Sequence, residues 1–290
     1  MRRACIDIGS NTTRLLVAEC DGERLEAIHQ EKVFTHVGRE LAGEGTIAAA
    51  KIAEVAEGVA AQVRVSRELG AAQVHGVATA AIRRAGNGDA LADAIEAACG
   101  LRVKVLSSAE EARLAFIGAA RTLGHAPDGQ LGVVDVGGGS SELVVGTAPD
   151  QVLWSTSFAV GSGDLAEGWL HSDPPSGSEL NEARAWVRDT VAELDVPRPV
   201  EAVAVGGSAL SLSRLAGPLL DSEAFTRLLA LFAAERATDI GRRFAIEEER
   251  ARLLPAGLLI LQAASELFGA SLQVARGGLR EAVLLEASRG

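Results

Sequence analysis

One pattern occurs twice in the chain. The segment DIGSNTTRLLV starts at Asp7, and DVGGGSSELVV starts at Asp135. Laid over each other, Asp falls on Asp, Gly9 on Gly137, Thr12 and Thr13 on Ser140 and Ser141, and Leu15 on Leu143. Each copy is an apolar strand closed by a carboxylate, a bend of small residues, and a second apolar strand. A repeat at this separation predicts two units of one design. Two similar halves facing each other would make a cleft, a common place for a ligand.

The remaining periodicities extend this layout. Strands are predicted over 4–8, 13–20, 73–79 and 102–106, with 24–34 able to form a further strand pair. Helices are predicted over 46–69, where Thr46 can cap, over 89–99, and from Ser108 to about Leu123. The polar stretch 124–130 (GHAPDGQ) is the best candidate for a boundary. Beyond it come strands at 131–136, 142–146, near 151–160, at 201–205 and at 271–275. Helices are expected over 179–194, about 222–244, 247–268 and after Gly278. This mixture gives an α/β class. The domains expected are 1–123 and 124–278, with a last helix, about 279–290, packing back on the first.

The net charge of −11 repels polyanions in bulk, so it argues against nucleic acid as a partner. An anionic substrate would need basic side chains, backbone N–H groups and metal ions concentrated in one place. Three cysteines, Cys5, Cys20 and Cys99, without a CxxC pair suit a reducing cytoplasm better than a disulfide scaffold or a structural zinc site. The apolar runs are broken by charges or Gly, so no membrane span is expected. The apolar stretch after Arg2 and Arg3 is stopped by Asp7, unlike a signal peptide.

The bends carry the candidate chemistry. Successive backbone N–H groups can hold a phosphate oxygen where the chain approaches closely, which favours Gly, and small hydroxyls add donors. Gly9, Ser10, Asn11, Thr12 and Thr13 form one such loop; Gly137, Gly138, Gly139, Ser140 and Ser141 form the other. The plainer reading is two hairpin turns, since Gly and Asn are ordinary turn residues. Yet three successive glycines cost roughly 0.5–1 kcal/mol each in chain entropy relative to Ala, and a two-residue turn does not need them.

Asp7 and Asp135 end apolar strands, where a carboxylate is expensive unless paired or bound to a metal. Mg²⁺ prefers one or two carboxylates plus waters and phosphates, so Asp7, Asp135 and the nearby Glu142 are candidate ligands, with another divalent cation as an option. The competing role for each Asp is to cap its own glycine turn. Ser107-x-x-Glu110 and Ser108-x-x-Glu111 both spell a capping box. One glutamate suffices for the cap, which leaves the other for a different task, and spacing does not say which. Arg14 follows the first loop, Arg83 and Arg84 follow a strand end, and Arg276 and Arg280 flank Gly277-Gly278. As a group they could offset the acidic surface. Gly206-Gly207-Ser208 forms a further small-residue bend, with Gly207 a candidate substrate contact.

With these residues in hand, the chain resembles the exopolyphosphatase / guanosine pentaphosphate phosphohydrolase family. The resemblance rests on the two repeat segments, on ATAAIRRAGN from Ala78, SAEEARL from Ser108, AVGGSA from Ala204 and GGLRE from Gly277. It implies two actin-like domains of the ribonuclease H-like, sugar kinase and Hsp70 superfamily with an interdomain cleft. It also implies the family's short form, without a helical C-terminal extension. The resemblance makes Glu111 the catalytic glutamate and Asp135 and Glu142 the acidic pair of the second loop. It makes Arg14 and Arg83 phosphate contacts, places Asn11, Thr12, Gly138, Gly139 and Ser140 at phosphate-loop positions, and implies Mg²⁺ dependence. Asp164 and Arg252 depart from the family pattern.

The function expected is release of terminal phosphate from inorganic polyphosphate by a water that Glu111 activates. The alternative is removal of a phosphate from a guanosine pentaphosphate, with guanosine tetraphosphate as its relative. An ATP-dependent kinase or ATPase of the same superfamily, and a non-catalytic phosphate sensor, rank behind. A homodimer is also allowed for.

Overall fold

The computed structural model describes residues 1–22 and 24–289. By compactness the chain divides into two units. One is Met1–Leu114 with Gly278–Gly290, the other Ala115–Gly277.

The first unit opens with β1 (Arg2–Ile8) and β2 (Thr12–Asp21), an antiparallel hairpin in which Asp7 pairs with Arg14 and Ile8 with Thr13. There follow β3 (Arg24–Phe34), α1 (Val37–Glu44), α2 (Ala49–Glu68), β4 (Gln73–Ala78), α3 (Ala80–Arg84), α4 (Gly88–Cys99) and β5 (Val103–Val105). The helix α5 (Ser108–Thr122) then begins in this unit and ends in the other. The sheet order is β3-β2-β1-β4-β5, with β4 parallel to β1 and β5 parallel to β4. Alternation along β1 sends Ala4, Ile6 and Ile8 into a core shared with Val55, Val59, Leu91 and Ile95 of α2 and α4. Arg3, Cys5 and Asp7 therefore belong to the opposite face of β1.

The second unit contains β6 (Gln130–Val136), β7 (Ser141–Thr147), β8 (Gln151–Phe158), α6 (Ser162–Trp169), α7 (Gly177–Val191), β9 (Glu201–Val205), α8 (Gly206–Ala216), β10 (Leu219–Leu220), α9 (Ser222–Ala234), α10 (Ala237–Phe244), α11 (Glu248–Phe268) and β11 (Leu272–Val274). Its sheet order is β10-β11-β9-β6-β7-β8. Without the edge strand β10, this is the first sheet again: β6, β7, β8, β9 and β11 stand for β1, β2, β3, β4 and β5, with the same strand directions. Both units are thus α/β units of the ribonuclease H-like, actin-like kind. The last helix, α12 (Leu279–Ala287), belongs to the first unit and packs on β1 and β2.

Several expectations change. The passage between units falls within α5, ahead of the polar segment 124–130. Residues 24–34 form one strand. Thr46 caps nothing: the Asn87 side chain binds both the N–H (2.8 Å) and the C=O (2.9 Å) of Ile47, and this extended clamp delays α2 until Ala49. The stretch 222–244 is two helices, because the Asp173 carboxylate accepts from the Ala237 N–H (2.8 Å) and starts α10 afresh. One helix, α11, is long and apolar enough to cross a membrane, contrary to the expectation that charges break every such run; 72% of its apolar window is buried inside the structure. Its residues Leu254, Leu258, Leu261 and Phe268 belong to the second unit's core.

Candidate active site

The two glycine bends are hairpin turns, and they are built alike. In the first, the Gly9 N–H donates to the Thr12 carbonyl at 3.0 Å; in the second, Gly137 donates to Ser140 at 3.0 Å. A Cβ on Gly9 would lie 3.2 Å from the Thr12 carbonyl oxygen, and one on Gly137 3.0 Å from that of Ser140. The Asp residues stand at the same register: Asp7 opposite Arg14, Asp135 opposite Glu142.

A feature absent from the sequence reading sets the direction of the peptide groups in both bends. In each unit a helix N-terminus grips the carbonyls of the bend. Gly38 of α1 donates to Ser10 (2.8 Å), while Thr35 and His36 donate to Asn11 (3.0 and 3.2 Å). In the second unit Ser162 of α6 donates to Gly137 (2.9 Å), and Gly163 and Asp164 donate to Gly138 (2.9 and 3.2 Å). The Ser162 hydroxyl adds a bond of 3.1 Å to the Gly137 carbonyl. In a trans peptide the N–H points opposite to the preceding C=O. With those carbonyls turned to the helices, the N–H groups of Asn11 and Thr12, and of Gly138 and Gly139, face the other way. These are the phosphate-loop positions expected from the sequence. The approach of α6 needs glycine: a Cβ on Gly161 would stand 2.1 Å from the Gly138 carbonyl carbon. The glycines of VGSG at 160–163 were the available signal for it.

The charged residues differ between the copies. In the second, Asp135 and Glu142 face the same side of the hairpin as a directly opposed pair. Glu142 is buried at 2% exposure and accepts from the Ser157 hydroxyl at 2.8 Å. The Asp135 carboxylate lies against Gly206, whose φ is +86° and whose Cβ would stand 2.4 Å from Asp135 Oδ1. Gly206-Gly207-Ser208 opens α8, so Gly207 sits in the first turn of a helix. Two carboxylates side by side fit Mg²⁺, which takes one or two and fills its remaining positions with water and phosphate oxygens. Among the described residues, no three His, Cys, Asp or Glu side chains gather into a metal-binding group.

In the first copy, Arg14 occupies the place of Glu142. Its Nε donates to the Thr12 hydroxyl at 3.2 Å, drawing the guanidinium toward the bend. Burial pushes the Asp7 carboxyl above its ordinary range, while the guanidiniums of Arg14 and Arg280 pull it back and Glu281 adds to the rise. Asp7 Oδ1 is buried without a hydrogen-bond partner, so this oxygen does not cap the glycine turn.

The two glutamates at the start of α5 separate cleanly. Glu110 takes the cap: its Oε2 accepts from the Ser107 N–H and hydroxyl, both at 2.9 Å, and the Ser107 hydroxyl accepts from the Glu110 N–H at 3.2 Å. Ser108 and Glu111 do not form the second box. Glu111 is instead buried, and its Oε2 accepts from Arg83 Nη1 at 2.8 Å. The same nitrogen donates to the Leu106 carbonyl at 2.7 Å, which fixes Arg83 beside Glu111. Of the two departures, Arg252 pairs with Asp173 and Glu248, each at 3.4 Å. Asp164 sits in the first turn of α6.

The chain matches the Ppx/GppA phosphatase family over residues 16–289. The chain belongs to this family. Exopolyphosphatase 1 of Mycobacterium leprae is 27% identical over 98% of this chain and 89% of its own. Exopolyphosphatase 2 of Mycobacterium tuberculosis is 35% identical over 74% of this chain and 70% of its own. The crystal structure of the Aquifex aeolicus Ppx/GppA family member is 28% identical, covers 99% of this chain and 97% of its own, and superposes with a TM-score of 0.83. As a Ppx/GppA protein the chain is a phosphoanhydride hydrolase. The outward-facing N–H groups of the bends and the acidic pair accord with that chemistry.

Proposed function

We propose that the chain is an exopolyphosphatase, releasing the terminal phosphate of inorganic polyphosphate with Mg²⁺. The observation that carries this reading is the shared build of the two hairpins. Each has its carbonyls held by a helix and its N–H groups turned out, one beside an arginine and one beside a carboxylate pair. A substrate dense in phosphate oxygens suits such repeated receptors, and the exopolyphosphatase names of the Mycobacterium relatives point the same way.

In the first unit, the N–H groups of Asn11 and Thr12 and the Arg14 guanidinium receive phosphate oxygens. Glu111, held by Arg83, orients a water and takes its proton. In the second unit, the N–H groups of Gly138 and Gly139 and the Ser140 hydroxyl serve the phosphate, and Asp135 with Glu142 would hold the cation. Bound there, Mg²⁺ supplies charge neutralisation for the phosphate oxygens. The water oxygen attacks the terminal phosphorus. The bridging P–O bond breaks, its electron pair leaves on the shortened chain as a phosphate oxyanion, and the new P–O bond completes inorganic phosphate. Such transfer depends on positioning and electrostatics.

The test is phosphate release with Mg²⁺ from short polyphosphate, long polyphosphate, guanosine pentaphosphate and ATP. Polyphosphate is expected to be the best substrate by kcat/KM. A preference for guanosine pentaphosphate would replace this reading with the alarmone one, and release from ATP alone would replace both.

A further inference from the structure

The chain passes from β3 into α1 through His36, and this residue is left-handed, at φ 52° and ψ 32°. Among the described residues only His36 and Ala245 hold a positive φ without being glycine. A Cβ makes such backbone unfavourable, least for Asn, Asp and His and most for β-branched side chains. It persists where the surroundings over-determine it.

Here the surroundings are the carbonyls of the first bend. The ladder of β2 and β3 ends with Thr12 opposite Phe34. Beyond it the Thr35 and His36 N–H groups both donate to the Asn11 carbonyl (3.0 and 3.2 Å), and the Gly38 N–H donates to Ser10 (2.8 Å). A left-handed residue followed by a right-handed one gathers nearby N–H groups on one side. His36 with Val37, the first residue of α1, is such a pair, so the His36 and Gly38 N–H groups reach two successive carbonyls. The helix α6 does this differently: its cap Gly161 is extended at φ −110°, and its donors Ser162, Gly163 and Asp164 all follow the cap. With an extended backbone at position 36, the His36 and Gly38 N–H groups would no longer reach both carbonyls. Those carbonyls share their peptide planes with the N–H groups of Asn11 and Thr12.

We infer that His36 is a positioning residue for the phosphate-binding N–H groups of Asn11 and Thr12, and that it acts through its left-handed backbone. This rests on the exopolyphosphatase reading above. The imidazole has a separate place, stacked on Phe34 with ring centroids 5.7 Å apart. A side chain that resists the left-handed region pulls the start of α1 out of register with the bend. The Asn11 and Thr12 N–H groups then lose their aim and the phosphate chain binds more weakly. Arg83 and Glu111 take no part in these backbone bonds, so KM moves more than kcat.

The experiment is steady-state phosphate release from polyphosphate by wild type, His36→Val, His36→Ala, His36→Gly and His36→Asn, with thermal unfolding of each. All four variants remove the imidazole and its stacking on Phe34, but only Gly and Asn enter the left-handed region readily. His36→Val is expected to raise KM about tenfold, the scale of one charge-assisted phosphate contact, with kcat within about threefold. His36→Ala should raise KM by a smaller factor, and His36→Gly and His36→Asn should recover most of the loss. An equal rise in KM across all four would give the effect to the imidazole and overturn the inference. So would an unchanged KM in His36→Val, or a fall in apparent kcat alone from a smaller folded fraction. If His36→Val does not fold, His36→Ala against His36→Gly decides, and equal KM values there would overturn it. Wild type that releases no phosphate from polyphosphate would remove the reading beneath it; active wild type with Ala and Gly variants alike sinks only the positioning role.

Discussion

Glu110 and Glu111 are adjacent in the chain and do different things. Sequence spacing offers both as caps, because both have a serine three residues before them; only the direction of each side chain from the helix start separates them. Glu110 points back to Ser107 and Lys104. Its bond with Lys104, and then those with Ser107, hold its carboxyl down from an ordinary 4.5 to about 2. A carboxyl lowered on folding stabilises the fold above its ordinary range, and that contribution is lost as pH falls through the folded value. Acid unfolding should therefore show wild type ahead of Glu110→Gln near neutrality, with the difference vanishing as pH falls from 4.5 toward about 2. Ser107→Ala should cost about 1 kcal/mol in urea unfolding, the usual worth of an N-cap, and leave phosphate release intact. A large activity loss in either variant would mean that the cap and the chemistry are not separable.

At the scale of elements, the hairpins were legible and their partners were not. The repeated Asp, Gly and hydroxyl positions predicted both bends, because small residues between apolar strands admit few other structures. The short helices α1 and α6 escaped notice, since eight-residue helices carry weak periodicity and their contacts lie across space. Yet they aim the N–H groups. This ranks two glycines. A Cβ on Gly161 would meet Gly138 and Gly139 backbone atoms at 2.1–2.3 Å, whereas one on Gly38 would meet Ser10 Cβ at 3.2 Å. Gly161→Ala must displace the second bend and should lower kcat/KM by at least about tenfold, beyond any loss of stability. Gly38→Ala should cost less than that. Paired measurements of phosphate release and thermal unfolding check the order, and equal effects would argue against α6 as the device that sets the bend.

At the scale of the molecule, one unit occurs twice and has diverged in charge. The doubled sheet order follows from the doubled segment, so the fold class could be read early. The exchange of Glu142 for Arg14 at one register was visible in the alignment of the two segments but acquired meaning only when the ladders showed Asp facing each. On the proposed reading, the cation belongs with the acidic pair of the second unit. Asp135→Asn and Glu142→Gln should each raise the Mg²⁺ concentration for half-maximal activity about tenfold or more, while Arg14→Ala should leave it near wild type and raise KM for polyphosphate instead. Mg²⁺ titrations at fixed substrate distinguish the two patterns, and a metal requirement unmoved by both acidic variants would count against the assignment. The most direct test of the account is the rate of phosphate release from polyphosphate by Glu111→Gln, with Glu110→Gln beside it. The amide of Glu111→Gln keeps an acceptor for Arg83 and cannot take a proton, so the rate should fall by about 10²–10⁴-fold with the fold retained, and Glu110→Gln should match wild type. A Glu111→Gln protein as fast as wild type, or a Glu110→Gln protein that suffers the same loss, would contradict it.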